Sequence, residues 1–269
     1  MKYILSLILL LTITACATSP TGRSQLMLVS PGQAISASKD AYVQTLSPLQ
    51  KEGKVDSNPA TSARIQLITG RIISQAILAY PQTRSWEWSV KVIDDPDMVN
   101  AWCMAGGRMA IYTGLIQKLE ATDDEIAQVM GHEIAHALAN HTAERMSIAL
   151  ASQIGMMGIA VAARDSNHKG AILTGSALAA ALAINLPNSR TAETEADLMG
   201  IKLAAQAGYD PRSAATLWGK MAKVGGSSPP QFLSTHPAPQ NRQATLSALA
   251  DQMMPYYLDK YQRPIYPLQ

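Results

Sequence analysis

Apolar residues return at helical spacing through most of this chain and alternate only near its middle. Ile65, Ile68, Ile72, Ala76 and Ala79 share one face of a helix that opens at Asn58, carries Pro59 at its first position and ends before Pro81. Trp86 to Ile93 (WEWSVKVI) alternates and predicts a strand, followed by a turn at Asp94 to Asp97. Asn100 to Met104 and Arg108 to Tyr112 predict two more strands, with Gly106 and Gly107 making the turn between them. A short helix over Gly114 to Leu119 leads into a longer one, Ala121 to Ala143, whose apolar stripe is Ile126, Val129, Met130, Ile134, Ala137 and Leu138.

Two strongly apolar segments follow, Ser147 to Ala163 and Ala171 to Leu186, divided by the polar turn 164–170. They are dominated by Ala, Gly, Ser and Met, not Leu or Phe, and predict a soluble helical hairpin near the functional site that can still press into lipid or a greasy substrate. Helices over Ser189 to Ala207 (stopped by Gly208), Pro211 to Val224 and Gln240 to Met254 complete the pattern, with a Gly/Ser/Pro loop at 225–230. The expected fold class is α+β: mainly helical, with a small three-stranded or four-stranded sheet, antiparallel or mixed, beside the 121–143 helix.

The first residues add a location. Lys2 is a short basic region, Tyr3 to Ile13 an apolar one, and Ile13-Thr14-Ala15 puts small residues before Cys16. The run is shorter than the roughly 20 apolar residues a membrane span needs. It resembles a bacterial lipoprotein signal, which implies removal of residues 1–15 and lipidation of Cys16; Ala17 resembles the outer-membrane-bound class. Residues 16–57, rich in Ser, Thr, Gly, Pro and Gln, read as a lipidated N-terminus and tether with a short, loosely packed helix and no catalytic role. The catalytic domain is expected over 58–269. A formal charge of +2 and a single Phe among few aromatics disfavour nucleic acid and a broad attraction to anionic lipid. Cys103, the second of two cysteines, reads as a small buried hydrophobe.

The chemistry sits in the 121–143 helix. His132 and His136, four residues apart, lie on one face and can reach a single metal ion, with Glu133 angled toward water held there. The bland alternative is a buried helix with two satisfied histidines. A catalytic zinc site wants a third protein ligand. Position 142 is Thr, and His141, five residues past His136, points away from the metal face of a continuous helix. The best source is Ser189 to Asp197 (SRTAETEAD), where Glu193 or Glu195 can coordinate. Glu193 and Asp197 share a face, so one can bind metal while the other supports a ligand histidine; Glu195, about 200° around the helix from Glu193, is expected to meet solvent or a basic partner.

HEIAH, SRTAETEAD some way downstream, and Asn100-Ala101, Gly106-Gly107 and Thr113-Gly114-Leu115 upstream together resemble the zinc metallopeptidase family of the CAAX prenyl endopeptidase and HtpX. The likeness is greatest to its periplasmic outer-membrane lipoprotein branch and runs over roughly Arg64 to Leu249. It implies a zincin-like metalloprotease domain with one Zn2+, held by His132, His136 and Glu193, Glu133 as general base or acid, and Asp197 behind a ligand histidine. Thr235-His236-Pro237, with Arg242 following, matches a loop whose histidine can approach the zinc. His236 and Arg190 are the candidate oxyanion donors, and His236 can alternatively hold the enzyme latent. The edge Asn100, Ala101, Trp102, Cys103, Met104, Gly106 and Gly107 is expected to receive an extended substrate, the two glycines permitting close approach.

The function expected is zinc-dependent endopeptidase action on unfolded or misassembled outer-membrane and periplasmic proteins, from a lipid anchor on the periplasmic face of the outer membrane, with outer-membrane assembly machinery as a possible partner. The alternatives are a periplasmic chaperone or assembly factor with little proteolysis, and a structural zinc lipoprotein, against which an intact Glu133 weighs.

Overall fold

A computed structural model of the chain describes residues 16–162, 189–224, 230–237, 241–260 and 262–268. In chain order its elements are β1 (Cys16–Thr18), β2 (Ser24–Leu26), α1 (Pro31–Lys51), α2 (Pro59–Ala79), β3 (Ser89–Ile93), β4 (Ala101–Met104), β5 (Arg108–Tyr112), α3 (Thr113–Lys118), α4 (Asp123–Leu138), α5 (His141–Ala162), α6 (Arg190–Gln206), α7 (Ser213–Val224), α8 (Gln231–Thr235) and α9 (Arg242–Leu258). The expected signal segment 1–15, the apolar segment Ala171 to Leu186 and the turn before it lie outside the described residues. The first apolar segment continues α5, and no helix among the described residues is long and apolar enough to cross a membrane.

Local chemistry starts the elements where the sequence places them. Asn58 Oδ1 accepts from the N–H groups of Ala60 and Thr61, with Pro59 in the first turn of α2. Thr122 and Glu125 form a reciprocal capping box at the head of α4. α2 buries Ile65, Ile68, Ile72, Ile73 and Ala76 against the sheet and α4, each isoleucine contributing about 1.5–3 kcal/mol of burial.

The sheet is mixed. β3 runs parallel to β5, with Ser89 opposite Arg108 and Ile93 opposite Tyr112, and β4 runs antiparallel on the other side of β5, in the order β3-β5-β4. β4 is therefore an edge strand, and α4 packs beside it.

The axis of the fold is the crossing of α4 and α6. A Cβ on Gly131 would come within 2.7 Å of Gly200 O, and one on Gly200 within 2.7 Å of His132 N and Cα. Two facing glycines let the helix backbones touch at the first histidine. That contact brings carboxylates of α6 within reach of imidazoles on α4.

Two expectations are corrected. The predicted 121–143 helix is broken: α4 ends at Leu138, Asn140 takes φ 56, and α5 starts afresh at His141. Asparagine tolerates the left-handed region and so ends the helix. Residues 16–57, expected as a tether with a short, loosely packed helix, instead lie against the domain, and the helix is long. β1 and β2 pair as a hairpin, with Cys16 opposite Leu26, and a Ser30/Gln33 capping box opens the 21-residue helix α1. α1 packs Leu46 on Ile93 and Ala110 and Ala34 beside Ala105. Ser, Gln and Lys dilute its apolar stripe, which is why it reads as weakly packed in sequence.

Candidate metal centre

His132 and His136 project from adjacent turns of α4, and their Nε2 atoms are 3.0 Å apart. Across the Gly131/Gly200 contact, Glu193 of α6 puts Oε2 3.3 Å from His132 Nε2 and Oε1 3.3 Å from His136 Nε2. His236, just past α8, brings Nδ1 to 3.1 Å from Glu193 Oε1 and 3.3 Å from His132 Nε2. The four donors lie within 4.8 Å of one another, and all four residues are buried. Phe232 fixes the fourth: its ring stacks on that of His236 at 4.5 Å, and its carbonyl accepts the His236 N–H.

The residues fit a zinc ion. Tetrahedral zinc with bonds of about 2.0–2.2 Å separates its ligand atoms by about 3.3–3.6 Å, close to the spacings found. Imidazole and carboxylate are the donor types such an ion takes. Burial pushes His132 down, but hydrogen bonds and charge from Asp197 and Glu193 lift it to about 9, the response of a site with surplus negative charge. Burial keeps His136 well below its ordinary range despite Glu193, leaving the neutral imidazole that ligation requires. Burial raises Glu193, and hydrogen bonds from His132, His136 and His236 more than reverse it, holding it ionised.

Each ligand is held from behind. Asp197 Oδ1 is 3.0 Å from His132 Nδ1. Arg242 donates to Asp197 Oδ1 at 2.6 Å and to Glu193 Oε2 at 3.2 Å, and its guanidinium lies 3.8 Å from the centre of the Trp218 ring. His136 is backed differently: its Nδ1 is 2.7 Å from His141 Nδ1, and His141 Nε2 is 3.1 Å from Glu195 Oε2.

Glu133 completes the set. Its Oε2 accepts the Cys103 backbone N–H at 3.2 Å, while Oε1 is buried without a hydrogen bond, 3.3 Å from His236 Nε2. Burial raises its affinity for a proton, against the pull of His236 and His132. The adjoining cleft, about 210 Å³, is lined by Asn100, Trp102, Cys103, Thr142, Arg145 and Thr235. Burial and the Glu133 charge push the Cys103 thiol up, so it stays protonated.

The structure thus brings together His132, Glu133, His136, Glu193, Asp197, His236 and Arg242, with Ala101, Trp102, Cys103 and Met104 on the neighbouring edge strand. It does not bring in Arg190, which is exposed in the first turn of α6 and lines a separate depression with Thr21, Arg23 and Leu198. Nor do Gly106 and Gly107 admit a substrate. Both are buried at φ 87 and φ 86, and the space a Cβ would take is filled by Ile35 and Trp88. These glycines serve the β4–β5 turn and its cover. Sequence reasoning turned His141 away from the site because it extended α4 through Asn140, it did not connect Glu195 to His141, and it missed Arg145, which shows no signal beyond lying one turn into α5.

An HExxH helix crossed by a carboxylate-bearing helix, beside the edge of a small sheet, defines a zinc metallopeptidase domain. The chain belongs to peptidase family M48, whose sequence pattern matches residues 59–250. It is 37% identical over 174 residues to the mitochondrial metalloendopeptidase OMA1 of Arabidopsis thaliana, covering 65% of this chain and 34% of that one. Identity to the human mitochondrial metalloendopeptidase OMA1 is 30% over 244 residues, 87% of this chain and 45% of the other. Identity to the beta-barrel assembly-enhancing protease of Escherichia coli K12 is 32% over 166 residues, 59% and 34%. The matches thus span from a third to under half of these three relatives' lengths.

Proposed function

We propose that this protein is a zinc-dependent endopeptidase acting on unfolded or misassembled envelope proteins, held by lipid at Cys16 on the periplasmic face of the outer membrane. The observation that carries the reading is the convergence of His132, His136, Glu193 and His236 beside the unsatisfied carboxylate oxygen of Glu133. The relative whose name refers to beta-barrel assembly supports the substrate class, and the likeness of residues 1–16 to a lipoprotein signal supports the location.

His132, His136 and Glu193 would hold the ion. A bound zinc would polarise a scissile carbonyl and lower the pKa of a water toward about 7. Glu133 Oε1 takes a proton from water and returns it to the leaving amine, while the Cys103 N–H holds Oε2 in place. Asp197 fixes the proton of His132 on Nδ1 and leaves Nε2 facing the site. An extended substrate would add to the edge of β4 along Ala101 to Met104. When His236 swings from its resting position, its Nε2–H can donate to developing oxyanion charge.

The test is zinc content together with cleavage of casein, with and without a chelator. Stoichiometric zinc and chelator-sensitive cleavage are expected; an intact Glu133 enzyme loaded with zinc that leaves casein uncut would overturn the reading. A second reading, a chaperone or assembly factor that cuts rarely, draws on the position of His236, 3.1 Å from Glu193 Oε1, where it would close the site at rest. Glu133→Gln separates the two: hydrolysis should drop about 10²–10⁴-fold with zinc retained, and rescue of an envelope defect by that variant equal to wild type favours the chaperone.

A further inference from the structure

Behind His136 the hydrogen bonds do not stop at the two helices of the metal centre; they run out to the N-terminal hairpin. His141 Nδ1 lies 2.7 Å from His136 Nδ1, and His141 Nε2 lies 3.1 Å from Glu195 Oε2. Glu195 Oε1 accepts from Thr21 Oγ1 at 2.6 Å and its Oε2 from Arg23 Nε at 3.0 Å. The two terminal nitrogens of Arg23 donate to Glu144 on α5 at 2.6 and 2.7 Å. His141 and Glu195 are 2% and 4% exposed.

The same hairpin holds the helix break that puts His141 there. Gln25 Nε2, on β2, donates to the carbonyl of Ala139, the C-cap residue of α4, at 2.8 Å, and to Glu144 Oε2 at 3.0 Å. One assignment of protons gives every contact in the row a donor and an acceptor. His136 Nδ1–H donates to His141 Nδ1, His141 Nε2–H donates to Glu195, and Glu195 is the anion fixed by Thr21 and Arg23. That assignment leaves His136 Nε2 as a lone pair facing Glu193 and His132, the form a metal ligand needs. Reversing the row would put a proton on Nε2.

From this geometry we infer that Arg23 is a positioning residue for the ligand His136, acting through Glu195 and His141, so that the N-terminal hairpin is a working part of the metal centre. The inference rests on the zinc reading of the site. It also gives the stretch after Cys16 a role: anything that lifts the hairpin off Glu195 loosens the metal.

The experiment uses the full chain and compares wild type, Arg23→Ala, Arg23→Lys and Glu195→Gln, with Leu46→Ala as a control that weakens the fold away from the row. Zinc affinity is measured by competition with a chromophoric chelator, thermal midpoint on the metal-free protein, and the His136 Nδ1–H proton resonance on the zinc-loaded protein. Glu195→Gln is expected to lower zinc affinity about 10–100-fold, Arg23→Ala to lower it less, and Arg23→Lys to recover part of the Arg23→Ala loss; in all three the His136 proton resonance shifts. Leu46→Ala is expected to lower the midpoint with zinc affinity and resonance unchanged. Wild-type affinity and an unshifted resonance in Arg23→Ala and Glu195→Gln would overturn the inference alone, as would an equal zinc loss in Leu46→Ala. Failure of the wild type to bind zinc would overturn it together with the metallopeptidase reading.

Discussion

His236 faces Glu133 and the ligand cluster at once: its Nε2 is 3.3 Å from Glu133 Oε1, and its Nδ1 is 3.1 Å from Glu193 Oε1. A side chain in that position would take the fourth place around a metal held by His132, His136 and Glu193, and it lies beside the proposed base, so we propose that it competes with water for both. The residue sits just past the short helix α8, held by Phe232. Replacing His236 with Ala should raise casein hydrolysis; a site closed nine-tenths of the time would gain about tenfold on opening. Zinc should remain bound through His132, His136 and Glu193. Unchanged or lower activity in a zinc-loaded His236→Ala protein would sink the latency proposal and leave the oxyanion role.

The helix crossing makes a second prediction. Gly200→Ala would place a methyl group 2.7 Å from the His132 backbone, so α6 must move outward, taking Glu193 with it. Overpacking of this kind costs about 1–3 kcal/mol, and separating Glu193 from the histidines should weaken zinc binding by more than the loss of stability explains. Denaturant midpoints and chelator competition on the same preparation check both parts. Wild-type values for each would mean that the glycine contact does not set the ligand spacing.

Much of the site was legible because it depends on four-residue offsets within single helices. His132 with His136, and Glu193 with Asp197, follow from helical periodicity alone, and Asn58 and Pro59 mark a helix start through a side-chain cap and a fixed backbone angle. What escaped depends on a break or on contact between distant segments. Asn140 in the left-handed region reorients His141, which a continuous helix would have turned outward. Of the two surroundings expected for Glu195, solvent or a basic partner, the structure shows the second, but that partner is Arg23, 172 residues away in sequence, and the carboxylate is buried. The parallel pairing of β3 with β5 is likewise invisible in alternation, which predicts strands but not their neighbours. Gly106 and Gly107 read as room for a substrate, whereas Ile35 and Trp88 occupy that room.

Arg242 is 3% exposed and binds two carboxylates, Glu193 and Asp197, while stacking on Trp218. Arg242→Met would leave the two buried acids with His132 but without the guanidinium, so the loss should lie toward the lower end of the about 3–5 kcal/mol that removing one partner of a buried ion pair costs. Arg242→Lys keeps the charge but loses the fork and the stacking, so its loss should be smaller yet clear. The metal-free protein should show the full deficit in thermal unfolding. Added zinc should recover part of it, because the ion also neutralises Glu193. Midpoints for Arg242→Met equal to wild type without metal would show that the two acids find another partner.

The capping box at the head of α4 gives a pH dependence whose sign is fixed by its contacts. Burial pushes the Glu125 carboxyl up, but Lys220 at 2.7 Å, the Thr122 N–H at 3.0 Å and Thr216 at 3.0 Å outweigh it and lower its pKa below the ordinary value of 4.5. A carboxyl with a depressed folded-state pKa stabilises fully above its unfolded value and loses that contribution as pH falls through the folded one. Glu125→Gln removes the titrating group while keeping its shape and one acceptor. At pH 7 wild type should therefore be more stable than Glu125→Gln by about 1 kcal/mol, the size of a cap plus a half-exposed ion pair. The gap should be constant down to about pH 5, shrink as pH falls below the unfolded value of Glu125, and be lost once the folded carboxyl is protonated. Comparing the two metal-free proteins by denaturant unfolding at each pH cancels the histidines, which titrate alike in both. A gap that widens on acidification would mean that the folded-state pKa of Glu125 lies above its unfolded value, and that burial outweighs the Lys220 contact.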